Sequence, residues 1–314
     1  MLPIQPEATG LIGKKRNEGV GDGSPSRQPF MEKSHFAHFQ ARSLDVMSVN
    51  GDFFRFADGE LKAVDIALAD PLTVADSWFV SDGASRAPGR HFSRFAHSIK
   101  EPNCREQLPQ FFRQVLEVIP REGEWFPRIE YRAERPEGER LFLRLRVAPE
   151  RTETCTLWTY DQDDPRLNPR IKGPDLSVCQ RLRRAANLHG ADEAVLLDAN
   201  GYIADGALSA IVWWQGETLC APDDSTPWLP SITRDLVFSI AAQAGYETAL
   251  TSQKPDELHG AEVWSLSALQ GIRGVTSWNE VNVGELKLLR PFRKRLQMLS
   301  EALETVNVNE VGSF

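Results

Sequence analysis

The chain has 314 residues, 41% of them hydrophobic and 25% charged, with a formal charge of −8 at pH 7; this is the composition of a globular protein with room for one large or two ordinary domains. No apolar run approaches the roughly 20 residues that span a bilayer, and the net acidity argues against nucleic acid as the main partner, because phosphate binding needs a concentrated basic face. Cys104, Cys155, Cys179 and Cys220 are scattered without metal spacing and read as reduced thiols, the six histidines form no metal signature, and no metal is expected.

Residues 1–47 mix Gly, Pro, Ser and charge with little apolar periodicity, the composition of a disordered extension. A short helix is expected between Met31 and Ala41, and Met31 and Met47 leave room for a later start. No apolar stretch follows Lys14-Lys15-Arg16, so no secretory signal is read and a cytoplasmic location is expected.

Residues 48–160 pattern as a small α+β domain. Phe53-Phe54 and residues 61–64 flank the turn Asp58-Gly59, and residues 75–80 read as one strand closed by Ser81-Asp82-Gly83. Residues 88–100 predict a helix with Phe92, Phe95 and Ile99 inward and His91 and Arg94 together on one face. A second helix is predicted over 106–118, burying Leu108, Phe111, Phe112 and Val115, followed by strands over 128–132, 140–147 and 152–160.

The polar residues 161–171, with Pro165, read as an interdomain linker, and 172–314 as a larger α/β domain. Asp175 sits as the N-cap of a helix that stops before Gly190. Asn200-Gly201 between apolar runs signals a type I′ hairpin, and Gln215-Gly216 a second one, so a meander leads into the loop 222–230. Ser231 caps a further helix with Leu236, Val237 and Ile240 inward, ended at Gly245. Residues 262–266 are a strand, 271–275 a loop re-entering a strand, and 291–303 a last helix facing Phe292, Leu296, Leu299 and Leu303 inward.

Three features of the second half bear on chemistry. A lysine forms a Schiff base with an aldehyde only when its amine is unprotonated, which needs a desolvated or electropositive site. Lys172 stands at the mouth of a helix beside Gly173 and Pro174; alone it is an ordinary surface lysine, and its company changes that reading. Asp205 lies just past the hairpin turn in an apolar strand, where it either faces a pyridine nitrogen or, with Gly206, simply makes a second turn. Ser231-Ile232-Thr233 offers free N–H groups at a helix start, a phosphate cup or an ordinary cap, and Arg94 is either its matching charge or a surface residue. Lysine, carboxylate and anion cup together describe a pyridoxal-phosphate site.

From about residue 75 to 275 the chain resembles the class IV aminotransferase family, which includes branched-chain aminotransferases, D-amino-acid aminotransferases and aminodeoxychorismate lyases. Asn200-Gly201, Asp205-Gly206 and Leu229-Pro230-Ser231-Ile232-Thr233-Arg234 are similar to the family's Asn-Gly turn, its acidic residue plus Gly, and its Leu-Pro-Gly-Ile-Thr-Arg. His91-Phe92-Ser93-Arg94-Phe95 is similar to its His-x-x-Arg-Leu. The resemblance implies an α/β, two-domain D-amino-acid aminotransferase-like fold (fold type IV), with pyridoxal 5'-phosphate in the interdomain cleft of what is usually a homodimer. It implies that Lys172 carries the cofactor, that Asp205 faces the ring nitrogen, and that Arg94, Ile232, Thr233 and the turn Ala268-Leu269 bind the phosphate. Three departures stand out: Asp205 in place of the usual Glu, Ser231 in place of Gly, and Ala268 where many members have Thr.

Ser77, near a hydroxyl position of lyase-type members, and Ser267-Ala268-Leu269 lean the resemblance toward aminodeoxychorismate lyase, which forms 4-aminobenzoate and pyruvate. Arg170 or Arg273 would then hold a substrate carboxylate. The alternatives are an amino-acid transaminase of branched-chain or D-amino-acid type, in which Lys172 moves a proton between substrate and cofactor carbons, and a non-catalytic protein that kept the fold. The expected partner is a small amino substrate.

Overall fold

Alternating large apolar side chains build the first sheet. In the computed structural model, which describes residues 51–65, 70–279 and 281–308, Phe54 and Phe56 of β1 (Asp52–Ala57) are buried, and Asp58 and Gly59 take positive φ (55° and 78°) before β2 (Glu60–Val64). The readings made for residues 1–47 lie outside the described residues. β3 (Val74–Ser77) is buried along its whole length. The single strand expected over 75–80 is interrupted at the buried pair Trp78-Phe79, where the chain leaves this sheet and enters another through β4 (Val80–Ser81) and β5 (Ala84–Arg86). Ala87, at φ 45°, then turns the chain into α1 (Pro88–Ser98), whose Phe92 stacks at 4.4 Å on Phe112 of α2 (Pro102–Val118). α2 starts ahead of the expected residue 106 because Pro102 is well suited to the first helical position. After β6 (Glu124–Trp125), β7 (Arg128–Tyr131) and β8 (Leu141–Leu145) complete an antiparallel sheet of order β2-β1-β8-β7-β3, with α1 packed on β3.

The second sheet takes its strands from the rest of the chain. It is built by β9 (Thr154–Thr159), β10 (Glu193–Leu197), β11 (Ile203–Gly206), β12 (Ala210–Gln215), β13 (Thr218–Pro222), β14 (Glu247–Thr251), β15 (Val263–Ser267) and β16 (Gly271–Trp278), in the order β11-β10-β9-β16-β15-β12-β13-β14. β9 runs parallel to both its neighbours and β13 parallel to β14; the other pairs are antiparallel, so this is a mixed sheet rather than the meander expected. α3 (Leu176–Leu188) packs on β10, and α4 (Ile232–Gln243) meets α5 (Leu289–Gln297) over a core holding Trp214, Trp264 and Phe292. The change from the first sheet to the second falls between Leu145 and Thr154, because β9 is an interior strand of the larger one.

Two local expectations are corrected. The Asn200-Gly201 turn is not type I′, which needs positive φ at both residues; only Gly201 has it (81°). Instead Asp198 organises the loop: its carbonyl accepts from Gly201 N, and its Oδ1 accepts from the amides of Asn200 and Tyr202 at 2.9 and 2.8 Å. The last helix stops at Gln297, leaving Leu299 41% exposed, and the chain continues as β17 (Ser300–Ala302) along β5, giving a third sheet of order β17-β5-β4-β6. Leu303 is buried, as its apolar character demands, but from a short 3₁₀ turn.

Candidate functional site

Because α1 lies against β3, His91 and Arg94 are carried over Asp76, a carboxylate with no exposed surface. Arg94 donates from Nε to Asp76 Oδ2 and from Nη2 to Oδ1, both at 2.8 Å, and His91 Nδ1 lies 2.8 Å from Oδ1. Burial alone would raise the Asp76 pKa, but Arg94 and His91 overcome it and hold the carboxyl well below the usual range. Arg94 Nη1 donates to the Pro230 carbonyl at 2.7 Å, tying α1 to the residue ahead of the α4 cap.

Lys172 is placed from the same strand. Its carbonyl accepts from Ala75 N at 2.7 Å, and Gly173, at φ 138°, passes so close to β3 that a Cβ would lie 2.7 Å from Ala75 N. Lys172 Nζ makes no hydrogen bond or ion pair among the described residues. Burial pushes its pKa below the ordinary 10.5, and Arg94 adds to the push. Asp175 stands at the N-cap of α3 without a side-chain cap bond. Its carboxylate instead accepts from the amides of Leu167 and Asn168 at 3.1 and 2.6 Å, fastening the segment that precedes the lysine.

Asp205, 4% exposed, accepts at Oδ2 from Arg166 Nη1 (3.0 Å) and Leu229 N (2.9 Å), and at Oδ1 from Gly206 N (3.1 Å). Burial raises its pKa, opposed by the Arg166 charge and the Leu229 amide. Arg166 also binds Asp164 at 2.8 Å and donates to the Pro227 carbonyl at 2.6 Å, so it joins the polar stretch read as a linker, the β11 carboxylate and the loop before α4. At that helix Ser231 Oγ accepts from Arg234 N at 3.3 Å and the Ser231 carbonyl from Asp235 N at 3.1 Å. The first-turn amides of Ile232 and Thr233 have no intrahelical acceptor. In the turn between β15 and β16, the Ala268 carbonyl accepts from Arg86 Nη2 at 3.0 Å.

One cleft is lined by Arg94, Lys172, Asp205, Ile232, Thr233 and Ala268. Ser209 lines it too, and its hydroxyl is buried with no hydrogen-bond partner. A desolvated amine, a buried carboxylate and open helix-start amides beside an arginine suit a ligand with an electrophilic carbon, a ring nitrogen and an anionic end. Four residues singled out from the sequence are not among those lining the cleft. Ser77 is buried in β3, and Leu269 follows Ala268 in its turn. Arg170 donates to the carbonyls of Asp224 and Thr226 and stands 5.4 Å over the Trp228 ring. Arg273 sits opposite Ser265 on β16, with its charge bearing on Glu193. Sequence reasoning passed over Asp76, Arg166 and Ser209. A carboxylate in the apolar run 74–80 was a usable signal for Asp76; nothing local links Arg166 to Asp205.

Comparison with known proteins gives the family and the fold. Residues 73–278 match the family described as amino-transferase class IV. The branched-chain-amino-acid aminotransferases of Salmonella typhimurium and Escherichia coli K12 are each 33% identical over 113 residues, 36% of this chain and 36% of the relative. The alignment therefore spans about a third of the length of these relatives. Among solved structures, a hypothetical aminotransferase from Mycobacterium tuberculosis in its PLP-bound form superposes with a TM-score of 0.68 at 19% identity, covering 79% of this chain and 98% of that one. The branched-chain amino acid aminotransferase of Escherichia coli gives 0.65 at 17% identity, with 79% and 94% covered. At such identities the likeness carries the fold alone. The family match covers most of the chain and the mixed α/β fold is shared: the chain belongs to the class IV aminotransferases.

Proposed function

We propose that this chain is a pyridoxal 5'-phosphate-dependent amino-acid transaminase acting on a small amino substrate. The carrying observation is the Lys172 amine, unpaired and desolvated in a cleft that also holds a buried carboxylate and the free first-turn amides of α4. The residues fit the cofactor. Lys172 would hold its aldehyde carbon, Asp205 would face its ring nitrogen, and Arg94 with Ile232 and Thr233 would take its phosphate, together with the Ala268-Leu269 turn. Ser209 Oγ, buried and unpartnered in this cleft, is the orphan that a bound polar group would satisfy.

When bound, the cofactor supplies an electron sink and a carrier for the amino group. Lys172 would take a proton from the substrate carbon at Nζ and return it elsewhere, a task for a neutral amine, and burial and the Arg94 charge lower its pKa in the direction that favours that form. Arg166 and the Leu229 amide favour the ionised form of Asp205 in a site where burial opposes it. Asp76 fixes the Arg94 guanidinium from behind by two bonds, so the arginine needs no reordering to meet an anion.

The transaminase reading is better supported than the lyase reading. The lyase expectation leaned on Ser77, which does not line the cleft, and on Ser267-Ala268-Leu269, of which Ser267 and Ala268 do; the relatives carry the name aminotransferase. A homodimer in the cytoplasm belongs to the same proposal; no helix among the described residues is long and apolar enough to cross a membrane. The test is to load the full chain with pyridoxal 5'-phosphate, reduce with borohydride and map the adduct. A single adduct on Lys172, lost in Lys172→Ala, and keto-acid release from a panel of amino donors support the reading. An adduct spread over surface lysines refutes the site. Pyruvate release from aminodeoxychorismate without any acceptor, in a chain inert toward amino donors, refutes transamination.

A further inference from the structure

Arg86 is a half-buried guanidinium that has no acidic partner among the described residues. It donates to the Ala268 carbonyl at 3.0 Å, and a Cβ on Gly271 at the far end of the same turn would lie 3.7 Å from its Nη2. The surroundings make this costly. Arg151 and Arg293 are close enough that their charges, after burial, push the Arg86 pKa down to about 10. Glu124 and Glu153 are engaged by Arg151 and Arg293 through loose contacts of 3.7 and 3.4 Å. The Phe79 ring lies under two of the guanidiniums, 5.9 Å from Arg86 and 4.0 Å from Arg151.

An isolated, crowded cation is retained in a fold only where something offsets its repulsion. The turn that Arg86 grips provides the direction of that something, because Ala268 lines the cleft on its other side. We infer that Arg86 is a positioning residue for the anionic end of the ligand: it clamps the β15–β16 turn by the Ala268 carbonyl and, with Arg151 and Arg293 behind it, adds positive potential where a phosphate is received. This rests on the proposed cofactor site and extends it to a residue outside the cleft wall. It also gives a physical account of Ala268, where a side-chain hydroxyl is missing. The cleft gains through charge and backbone orientation what it lacks in a donor.

The test separates charge from clamp. Inorganic phosphate is titrated into the cofactor-free full chain by calorimetry for the unaltered protein, Arg86→Gln, which keeps a donor for the Ala268 carbonyl, and Arg86→Lys, which keeps the charge. Loss of this charge is expected to weaken phosphate binding on the order of tenfold in Arg86→Gln. Arg86→Lys is expected to recover most of that loss and to restore the steeper weakening with added salt. Thermal midpoints without phosphate identify a variant that is merely unstable, and for such a variant Arg151→Gln provides the same charge test at a more exposed position. Binding within twofold of the unaltered chain in every variant overturns the role. So does phosphate binding that survives once Lys172 carries the reduced cofactor, since the anion would then sit on the arginines themselves. An unaltered chain that takes neither phosphate nor an adduct at Lys172 overturns the cofactor reading, and this inference with it.

Discussion

Gly173→Ala is the substitution whose effect follows most directly from the geometry. The glycine is at φ 138°, and a Cβ there would meet Ala75 N at 2.7 Å, Val74 Cα at 2.8 Å and Val74 C at 2.9 Å, all backbone atoms that cannot rotate away. Restoring ordinary contact at about 3.4 Å requires a displacement of about 0.7 Å between the lysine loop and β3. The bond from Ala75 N to the Lys172 carbonyl, now 2.7 Å, would lengthen by a similar amount and leave the hydrogen-bonding range. Backbone strain of ~1–3 kcal/mol plus a lost buried bond of ~1 kcal/mol predicts destabilisation of about 2–4 kcal/mol. Because β3 also carries Asp76, and through it Arg94, the lysine should shift relative to the anion site. Its borohydride-trapped adduct with pyridoxal 5'-phosphate should then form at least tenfold more slowly. Urea unfolding of the cofactor-free chain gives the first number and adduct mapping the second. Gly89→Ala, in α1 with nothing within 4 Å of its Cβ, is the control and should be neutral or slightly stabilising. A Gly173→Ala protein within 0.5 kcal/mol of the parent, with an unchanged adduct rate, would refute the claim that this contact places Lys172.

Two further outcomes follow from buried charges. Asp76→Asn removes the anion that orders Arg94 and His91 and should cost ~3–5 kcal/mol, with weaker phosphate binding measured by calorimetry. Since the folded Asp76 pKa lies below its unfolded value, the parent's advantage should be present above about pH 4 and fade as pH falls, which a series of unfolding curves would reveal. Glu193 behaves in the opposite sense: burial, against the pull of Arg273, pushes its carboxyl from 4.5 up to about 7. The folded chain therefore holds a proton that the unfolded chain has released between those values. That stabilisation is full below about pH 4.5 and lost as pH rises to about 7, roughly 3 kcal/mol in all. Glu193→Gln should match the parent near pH 4.5 and exceed its stability above pH 7; equal unfolding midpoints at both pH values would contradict the assignment.

Much of this architecture was legible from local pattern. The inward faces of α1 and α2, the Ser231 cap and the lysine at a helix mouth are properties of a few adjacent residues, and the structure repeats them. What escaped depends on residues far apart in the chain. Asp76 reads as a polar interruption of a strand until α1 is laid over β3. Arg166 looks like part of a polar connector until β11 brings Asp205 to it, 39 residues on. Three acceptors, Asp164, Asp205 and the Pro227 carbonyl, hold that arginine in place. Residues 298–303 were misread for a similar reason. Leu299 and Leu303 keep helical spacing, but pairing with β5 takes the backbone before the helix can continue.

That pairing has a bearing on how the protein is made. β17 lies along β5, and β5 leads through Ala87 into the helix that carries His91 and Arg94. During synthesis the arginine helix leaves the ribosome more than two hundred residues ahead of β17. The first sheet can form early, from local antiparallel pairs and with α1 packed on β3, but one edge of β5 stays unpaired until residues 300–302 arrive. The lining of the cleft runs from His91 to Ala268, so the cleft is a late product of folding, and a ligand that bridges α1 and α4 would find its site only on a chain whose translation is nearly finished. A ribosome stalled within α5 should yield a nascent chain with a protected first sheet and no affinity for phosphate.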